Sequence, residues 1–142
     1  MNKQQKTKDE ILDYVLDYYK THNRGINAWG CVYIDQKNGN KCAVGLCAVD
    51  PQNLMDEFGG EAVFDIVGAL GEPSHQVSNS FDQLLRPEFR GHSPEFWSEL
   101  QAIHDNTINW REKKTREGNF LTEYGKEAVK ELRLAIKTNT LN

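Results

Sequence analysis

The sequence predicts an α+β fold, mostly helical, in a single domain that spans residues 1–142 and carries a small β-hairpin near residues 29–48. Three observations lead to this prediction. Helix-capping signals followed by helical periodicity recur along the chain. A short run of aromatic and β-branched residues, "WGCVYI", precedes a tight-turn signal at Asn38-Gly39. The length of 142 residues and the hydrophobic fraction of 38% are ordinary for one globular domain.

Two stretches in the first half of the chain predict helices with defined starts. Thr7 and Glu10 have the spacing of a capping box, and the following "ILDYVLDYYK" repeats apolar residues at helical intervals. Asp50-Pro51 begins a second helix, which ends at the glycine pair of "EFGG". The apolar segment "EAVFDIVGAL" predicts a further short helix.

The second half of the chain contains three more predicted helices. The segment "NSFDQLLRPEF" predicts a short helix that breaks near Pro87. Ser93 followed by Pro94 predicts the start of a longer helix over "PEFWSELQAIHDNTINW". Thr122 caps a last helix that continues to about Lys137. Its apolar residues keep the helical period: Leu121, Tyr124, Ala128, Leu132 and Ala135.

The predicted hairpin pairs the segment 29–34 with "KCAVGLCAV" across the turn in "DQKNGN". The second arm is ambiguous, because Ala43, Gly45 and Ala48 are poor strand residues. A short helix that starts near Cys42 is therefore the alternative for this segment.

Charge and composition argue against several classes of protein. The formal net charge of −4 does not supply the concentrated Lys/Arg surface that nucleic-acid phosphates require, so we expect no general nucleic-acid binding. No apolar run approaches the length of about 18 residues that a membrane span needs. The N-terminal "MNKQQKTKDE" lacks the apolar segment of a secretory signal, and an odd number of cysteines fits a reducing compartment. We therefore expect a cytoplasmic protein with no membrane association.

Cys42 and His104 are the candidate catalytic pair of a thiol-dependent enzyme that would act on an acyl or amide bond. Cys42 follows the turn-like "GNK" and would lie at a helix N-terminus if "AVGL" is helical, a position that favours the thiolate. His104 would be the base, with Asp105 or Asn106 orienting its ring. Because neighbouring residues on a helix point about 100° apart, we do not expect Asp105 to hold the ring of His104.

A structural role accounts for the same two residues without any chemistry. Cys42 lies beside Ala43 and Val44, as a small core residue would. His104 follows Leu100 by four residues and lies at the edge of a predicted buried helix face, where a hydrogen-bonded structural histidine is expected.

A zinc-stabilised module is a further alternative, since three cysteines and one histidine are a legitimate zinc ligand set. The set would be Cys31, Cys42, Cys47 and His104. Structural zinc sites usually contain a tight cysteine pair, whereas four residues separate Cys42 from Cys47. The chain also lacks the Gly-rich phosphate loops and His-Glu-x-x-His motif of common cofactor and metal sites. We therefore predict no bound metal and no cofactor.

The segments "CVYIDQKNGNKCAVG" and "SPEFWSELQAIHD" contain a Cys-x10-Cys-Ala-x-Gly pattern and a Leu-Gln-x-x-His-Asp helix. In these features the chain resembles a group of small, uncharacterised proteins of bacteriophages and prophages. That group often has a cysteine directly after the glycine of the first pattern, where this chain has Leu46 and then Cys47. The resemblance implies a phage-type origin and a recurring arrangement of Cys and His, and it implies no activity. It maps onto Cys31, Tyr33, Gly39, Lys41, Cys42, Ala43, Gly45, Leu100, Gln101, His104 and Asp105.

The leading functional prediction is a small cytoplasmic interaction or modulator protein that binds a host or viral protein. It would act in the cytoplasm of the host cell if it is phage-encoded. The acidic charge, the ordinary size and the lack of a complete catalytic motif favour this class. Exposed aromatic side chains would support it, and the candidates are Trp97, Tyr18, Tyr19 and Trp110. The thiol-dependent enzyme and the zinc-stabilised module remain the alternatives.

Overall fold

The computed structural model describes residues 5–27, 30–59, 61–111 and 120–138, with the backbone alone at residues 26, 27, 30 and 31. Helices dominate these ranges. They are α1 (Lys8–Tyr19), α2 (Ala43–Cys47), α3 (Pro51–Phe58), α4 (Val63–Ala69), α5 (Asn79–Asp82), α6 (Pro94–Asp105) and α7 (Glu123–Lys137). Two single-turn 3₁₀ helices, Pro87–Phe89 and Thr107–Asn109, flank α6.

The predicted α+β class and the hairpin over residues 29–48 are wrong. The second arm of that hairpin folds as the helix α2, which was the alternative for this segment. In the described backbone, the paired strands are limited to β1 (Ile26–Asn27) and β2 (Gly30–Cys31), which are antiparallel and two residues long. A pair of this length cannot form a sheet layer. The fold is therefore helical.

A close backbone contact explains why α2 is a helix and not a strand. Gly45 packs so tightly on the preceding segment that an added Cβ would lie 1.9 Å from the carbonyl oxygen of Tyr33. Only glycine fits this contact. The Sγ atom of Cys42 accepts a hydrogen bond from the Gly45 N–H at 3.3 Å and so caps the first turn. The tertiary contact and the local cap together outweigh the weak strand signal.

The helix starts predicted from capping signals are confirmed. The Thr7 N–H donates to Glu10 Oε1 at 2.9 Å, and the Glu10 N–H donates to Thr7 Oγ1 at 3.2 Å. Asp50 caps α3 through the N–H of Asn53, and Thr122 caps α7. α6 begins at Pro94, as predicted. The starts of α1, α3 and α7 depend on hydrogen bonds between residues three apart, which the sequence shows directly. The start of α6 has Pro94 at its first position and no side-chain capping bond from Ser93.

α6 lies at the centre of the fold and packs against α2, α4 and α7. The chain then turns back, so that α7 begins beside the 3₁₀ helix Thr107–Asn109. Here Gly125 is required, because an added Cβ would lie 2.1 Å from the Asn109 carbonyl oxygen. One connected hydrophobic core joins the helices, and its largest fully buried side chains include Trp97, Tyr19, Tyr33, Phe81, Phe89 and Phe96. None of the helices within the described ranges combines the length and the apolar character that crossing a membrane requires.

Candidate functional site

The candidate nucleophile Cys42 is inaccessible in this fold. Its side chain is 0% exposed, and its Sγ is the capping acceptor of α2. Cys47, at the other end of α2, is equally buried, and burial raises the pKa of its thiol well above the ordinary value. A raised pKa is the opposite of what a thiolate nucleophile needs. The cysteines of α2 are therefore core residues in this conformation.

His104 is 1% exposed, and its ring is held by Asp105, contrary to the sequence-based expectation. The distance from His104 Nδ1 to Asp105 Oδ1 is 2.7 Å. Asp105 is the last residue of α6, where its carboxylate reaches back to the preceding ring. Because a carboxylate only accepts, Nδ1 carries a proton in this contact. Burial lowers the pKa of His104, and the contact with Asp105 offsets this effect only in part.

Gln101 connects α2 to α6. Its Oε1 accepts a hydrogen bond from the Val44 N–H at 3.1 Å, and its Nε2 donates to Asp105 Oδ1 at 2.7 Å. Sequence reasoning missed this role. The spacing of Gln101 from Asp105, four residues on one helix, is the signal that could have indicated a side-chain pair.

The structure does not bring Cys42 and His104 together as a catalytic dyad. Within the described residues, Sγ of Cys42 bonds Gly45 and not the imidazole, and the buried Nε2 of His104 has no hydrogen-bond partner. A base must lie within hydrogen-bond reach of its nucleophile. The network therefore acts as a structural tie between α2 and α6.

Cys42, Cys47 and His104, the described members of the candidate zinc ligand set, do not come together as a metal site. Across the described ranges, no group of three or more His, Cys, Asp or Glu side chains could hold a metal ion. Cys42, Cys47 and His104 belong to those ranges and do not form such a group. The side chain of Cys31 lies outside the described residues, although its backbone belongs to β2.

A groove on the surface, between α6 and α7, is the second candidate site. It encloses 430 Å³. One wall consists of residues 99, 102 and 103 of α6 and of residue 106 directly after it, and α7 contributes residues 128, 131, 132 and 135. Each set follows the spacing i, i+3, i+4, i+7, which is one face of a helix over two turns. The floor is apolar and shallow, since it is lined by Ala102, Ile103, Ala128, Leu132 and Ala135.

Exposed apolar side chains continue the α7 side of the groove. Tyr124 precedes Ala128 by one helical turn and is 69% exposed, although it keeps the apolar period of α7. Ile108, in the 3₁₀ helix that packs on α7, is 56% exposed. Tyrosine is enriched in protein–protein contact surfaces, and Ile108 adds exposed apolar area.

The aromatic residues that the sequence offered as exposed candidates do not fill that role. Trp97 and Tyr19 are fully buried in the core. Tyr18 and Trp110 are partly buried against the core, where Tyr18 stacks on His22 and Trp110 packs on Tyr19. Helical spacing placed Trp97, Tyr18 and Tyr19 correctly on helices but did not separate the buried face from the exposed one. The helix predicted through Trp110 ends at Asp105, and Trp110 follows a separate 3₁₀ turn.

A smaller cleft of 330 Å³ lies on the other side of α6. Ala102 lines both this cleft and the groove, so the exposed ridge of α6 separates them. The remaining lining residues of the cleft are Tyr33, Glu61, Ala62, Val63, Ser98, Gln101 and Asp105. Asp105, whose side chain is 40% exposed, therefore links the buried network to the surface.

Comparison with known proteins returns no match: no family model, no curated protein and no solved structure is significantly similar to this chain.

Proposed function

We propose that this protein is a small protein-binding protein of phage type, a cytoplasmic modulator that engages a host or viral protein through the groove between α6 and α7. The observation that carries the proposal is the apolar floor of that groove. Tyr124, four residues before the lining residue Ala128, and Ile108, next to the lining residue Asn109, are both exposed. Buried apolar area is the main source of affinity between proteins, and a tyrosine at the edge of such a floor is a typical anchor.

The partner is another protein and not a second copy of this chain. Glu99 and Glu131 line the groove. Two copies that met through this face would bring these carboxylates against one another, and like charges in a contact destabilise it. The burial of Cys42 and the lack of a Cys42–His104 contact leave the thiol-dependent enzyme without support, so it is not proposed.

The test fills the groove and compares two alanine positions. Ala128→Trp places a large side chain in the groove floor, whereas Ala69→Trp adds the same side chain at an exposed position at the end of α4. Each variant and the wild type are immobilised in parallel, and the proteins that they capture from a lysate of the bacterial host are quantified by mass spectrometry. Circular dichroism confirms that each variant is folded.

The expected result is a stoichiometric partner that the wild type and Ala69→Trp both retain. Binding of that partner to Ala128→Trp should fall by about 10-fold or more, because the blocked groove excludes the central contact. If no captured protein distinguishes Ala128→Trp from Ala69→Trp, the groove is not the binding site and the proposed function fails.

A further inference from the structure

We propose that the occupant of the α6/α7 groove is an amphipathic α-helix that carries Lys or Arg side chains beside an apolar stripe. This inference rests on the proposed function, because it names the chemistry of the partner at the same site. Its basis is the shape of the groove, its small floor residues and the sign of the charges that line it.

The shape of the groove fits a helix. Its two walls are stripes of similar length, residues 99–106 at the C-terminal end of α6 and residues 128–135 of α7, and each covers about two helical turns. A third helix can lie along such a pair and place its own ridge between them. An extended strand would find no backbone partner there, because the peptide groups of both walls belong to helices.

The floor of the groove allows close approach. Ala102, Ala128 and Ala135 have minimal side chains, and Ala128 and Ala135 are separated by two turns of α7. Leucine or isoleucine side chains of a docked helix can fill the space above these alanines. Tyr124 and Ile108 extend the contact beyond the end of the two stripes.

The charged residues that line the groove and the neighbouring cleft are acidic, which favours a basic partner. Glu99 and Glu131 line the groove, and Glu61 and Asp105 line the cleft on the other side of the α6 ridge. Neither lining contains a Lys or Arg residue. A helix seated in the groove therefore meets carboxylates and no cation from these linings, which favours Lys and Arg on its flanks.

One cation that interacts with this face is already engaged elsewhere in this chain. Arg24 interacts electrostatically with Asp105, but its Nη1 donates to the His104 carbonyl oxygen at 2.7 Å. Its guanidinium also lies over the Trp110 ring, 5.5 Å from the centroid. Arg24 lines neither the groove nor the cleft, so it leaves the acidic character of this face in place.

The test uses two synthetic helical peptides of about 18 residues with blocked termini, a length that forms about five turns. Both have the same leucine stripe, flanked by lysine in one peptide and by glutamate in the other. Binding to the full-length protein is followed by fluorescence anisotropy, and its location is mapped by amide chemical shifts. The charge-reversed variant Glu99→Lys/Glu131→Lys is compared with Glu57→Lys/Asp65→Lys, which reverses two exposed carboxylates outside both linings.

The lysine peptide should bind the wild type about 10-fold more tightly than the glutamate peptide, with shifts centred on Ala102, Ala128 and Ala135. Glu99→Lys/Glu131→Lys should reverse this preference, and Glu57→Lys/Asp65→Lys should retain it. Equal binding of the two peptides overturns the inference. An equal loss in the two double variants also overturns it, because the attraction would then be a general effect of net charge.

Failure of this inference is distinguishable from failure of the proposed function. If capture of a host protein depends on Ala128 while the lysine peptide shows no preference for the groove, only the identity of the occupant is wrong. If capture does not depend on Ala128, the groove itself is not the binding site.

Discussion

α6 presents two contrasting faces. Its buried face contains Gln101 and His104, which form a hydrogen-bonded network with α2 and Asp105. Its exposed face lines the groove with Glu99 and Ala102, which have no such network among the described residues. His104, the residue type on α6 that most suggests chemistry, is buried. Glu99 and Ala102, which indicate no function in the sequence, line the accessible groove.

This difference shows that a reactive residue type indicates a function only together with its accessibility. A thiol and an imidazole inside a core satisfy packing and hydrogen bonding. Alanine and glutamate on two adjacent helices line an accessible groove, which is the site of the proposed binding. Perturbing the buried network should therefore change stability and thiol reactivity, whereas perturbing the groove should change binding.

Alkylation should separate the native and unfolded states by the widest margin. Cys42 and Cys47 are 0% exposed, so their thiols should react with iodoacetamide about 1,000-fold more slowly in the native protein than in denaturant. Site-resolved mass spectrometry measures each rate. Rapid native labelling of Cys42 would contradict its structural role and return it to consideration as a nucleophile.

Gly45→Ala should have the largest effect on stability among the single substitutions considered. The added Cβ would meet the Tyr33 carbonyl oxygen at 1.9 Å, so the free energy of unfolding should fall by about 3 kcal/mol. Gly68→Ala is the matched control, because an added Cβ there meets nothing within 4 Å. That helical position should gain up to about 1 kcal/mol. Urea unfolding measures both, and equal effects would show that α2 does not pack on Tyr33.

Gln101→Leu should break the tie between α2 and α6 without changing the surface groove. The Val44 N–H would lose its buried acceptor and Asp105 would lose a donor, at a cost of about 2 kcal/mol in unfolding free energy. Ser98→Ala, one turn earlier on α6, should stay within about 0.5 kcal/mol of the wild type. A Gln101→Leu protein as stable as Ser98→Ala would show that the tie contributes little.

Acid should destabilise the protein through His104. Its pKa in the folded state lies below the ordinary value of 6.5, so the unfolded chain binds more protons in the window below that value. Stability is therefore retained above about pH 6.5 and falls below it, by up to about 1.4 kcal/mol per pH unit. His104→Gln should remove this part of the slope, while His75→Gln, at an exposed position, should not. An unchanged slope in His104→Gln would contradict the assignment.

Sequence reasoning predicted the parts of the fold that depend on local hydrogen bonds. The helix starts at Thr7, Asp50 and Thr122 follow from capping bonds that lie within three residues. The start after Ser93 follows from the proline at the first helical position. The segment after Cys42 was mispredicted as a strand in the leading interpretation. Its helical state depends on a tertiary contact with Tyr33, which no local pattern contains.

For the candidate catalytic site, the sequence indicated which residues to consider but not which atoms they would contact. Cys42 and His104 were predicted as a catalytic pair, with burial in the core as the alternative. Both are buried, and their separate hydrogen-bond partners depend on how α2 packs on α6. The contact between His104 and Asp105 was excluded from ideal helix geometry, which does not describe the last residue of a helix. The groove could not be predicted, because it exists only when α6 and α7 pack side by side.

The central claim is that the groove binds the partner and that Cys42 has only a structural role. The most direct test is one capture experiment with three proteins. Wild type, Cys42→Ala and Ala128→Trp are compared for partner bound per folded molecule. Cys42→Ala should retain the partner, and Ala128→Trp should lose it by about 10-fold or more. Loss of binding in Cys42→Ala together with full binding in Ala128→Trp would contradict the assignment of function to the groove.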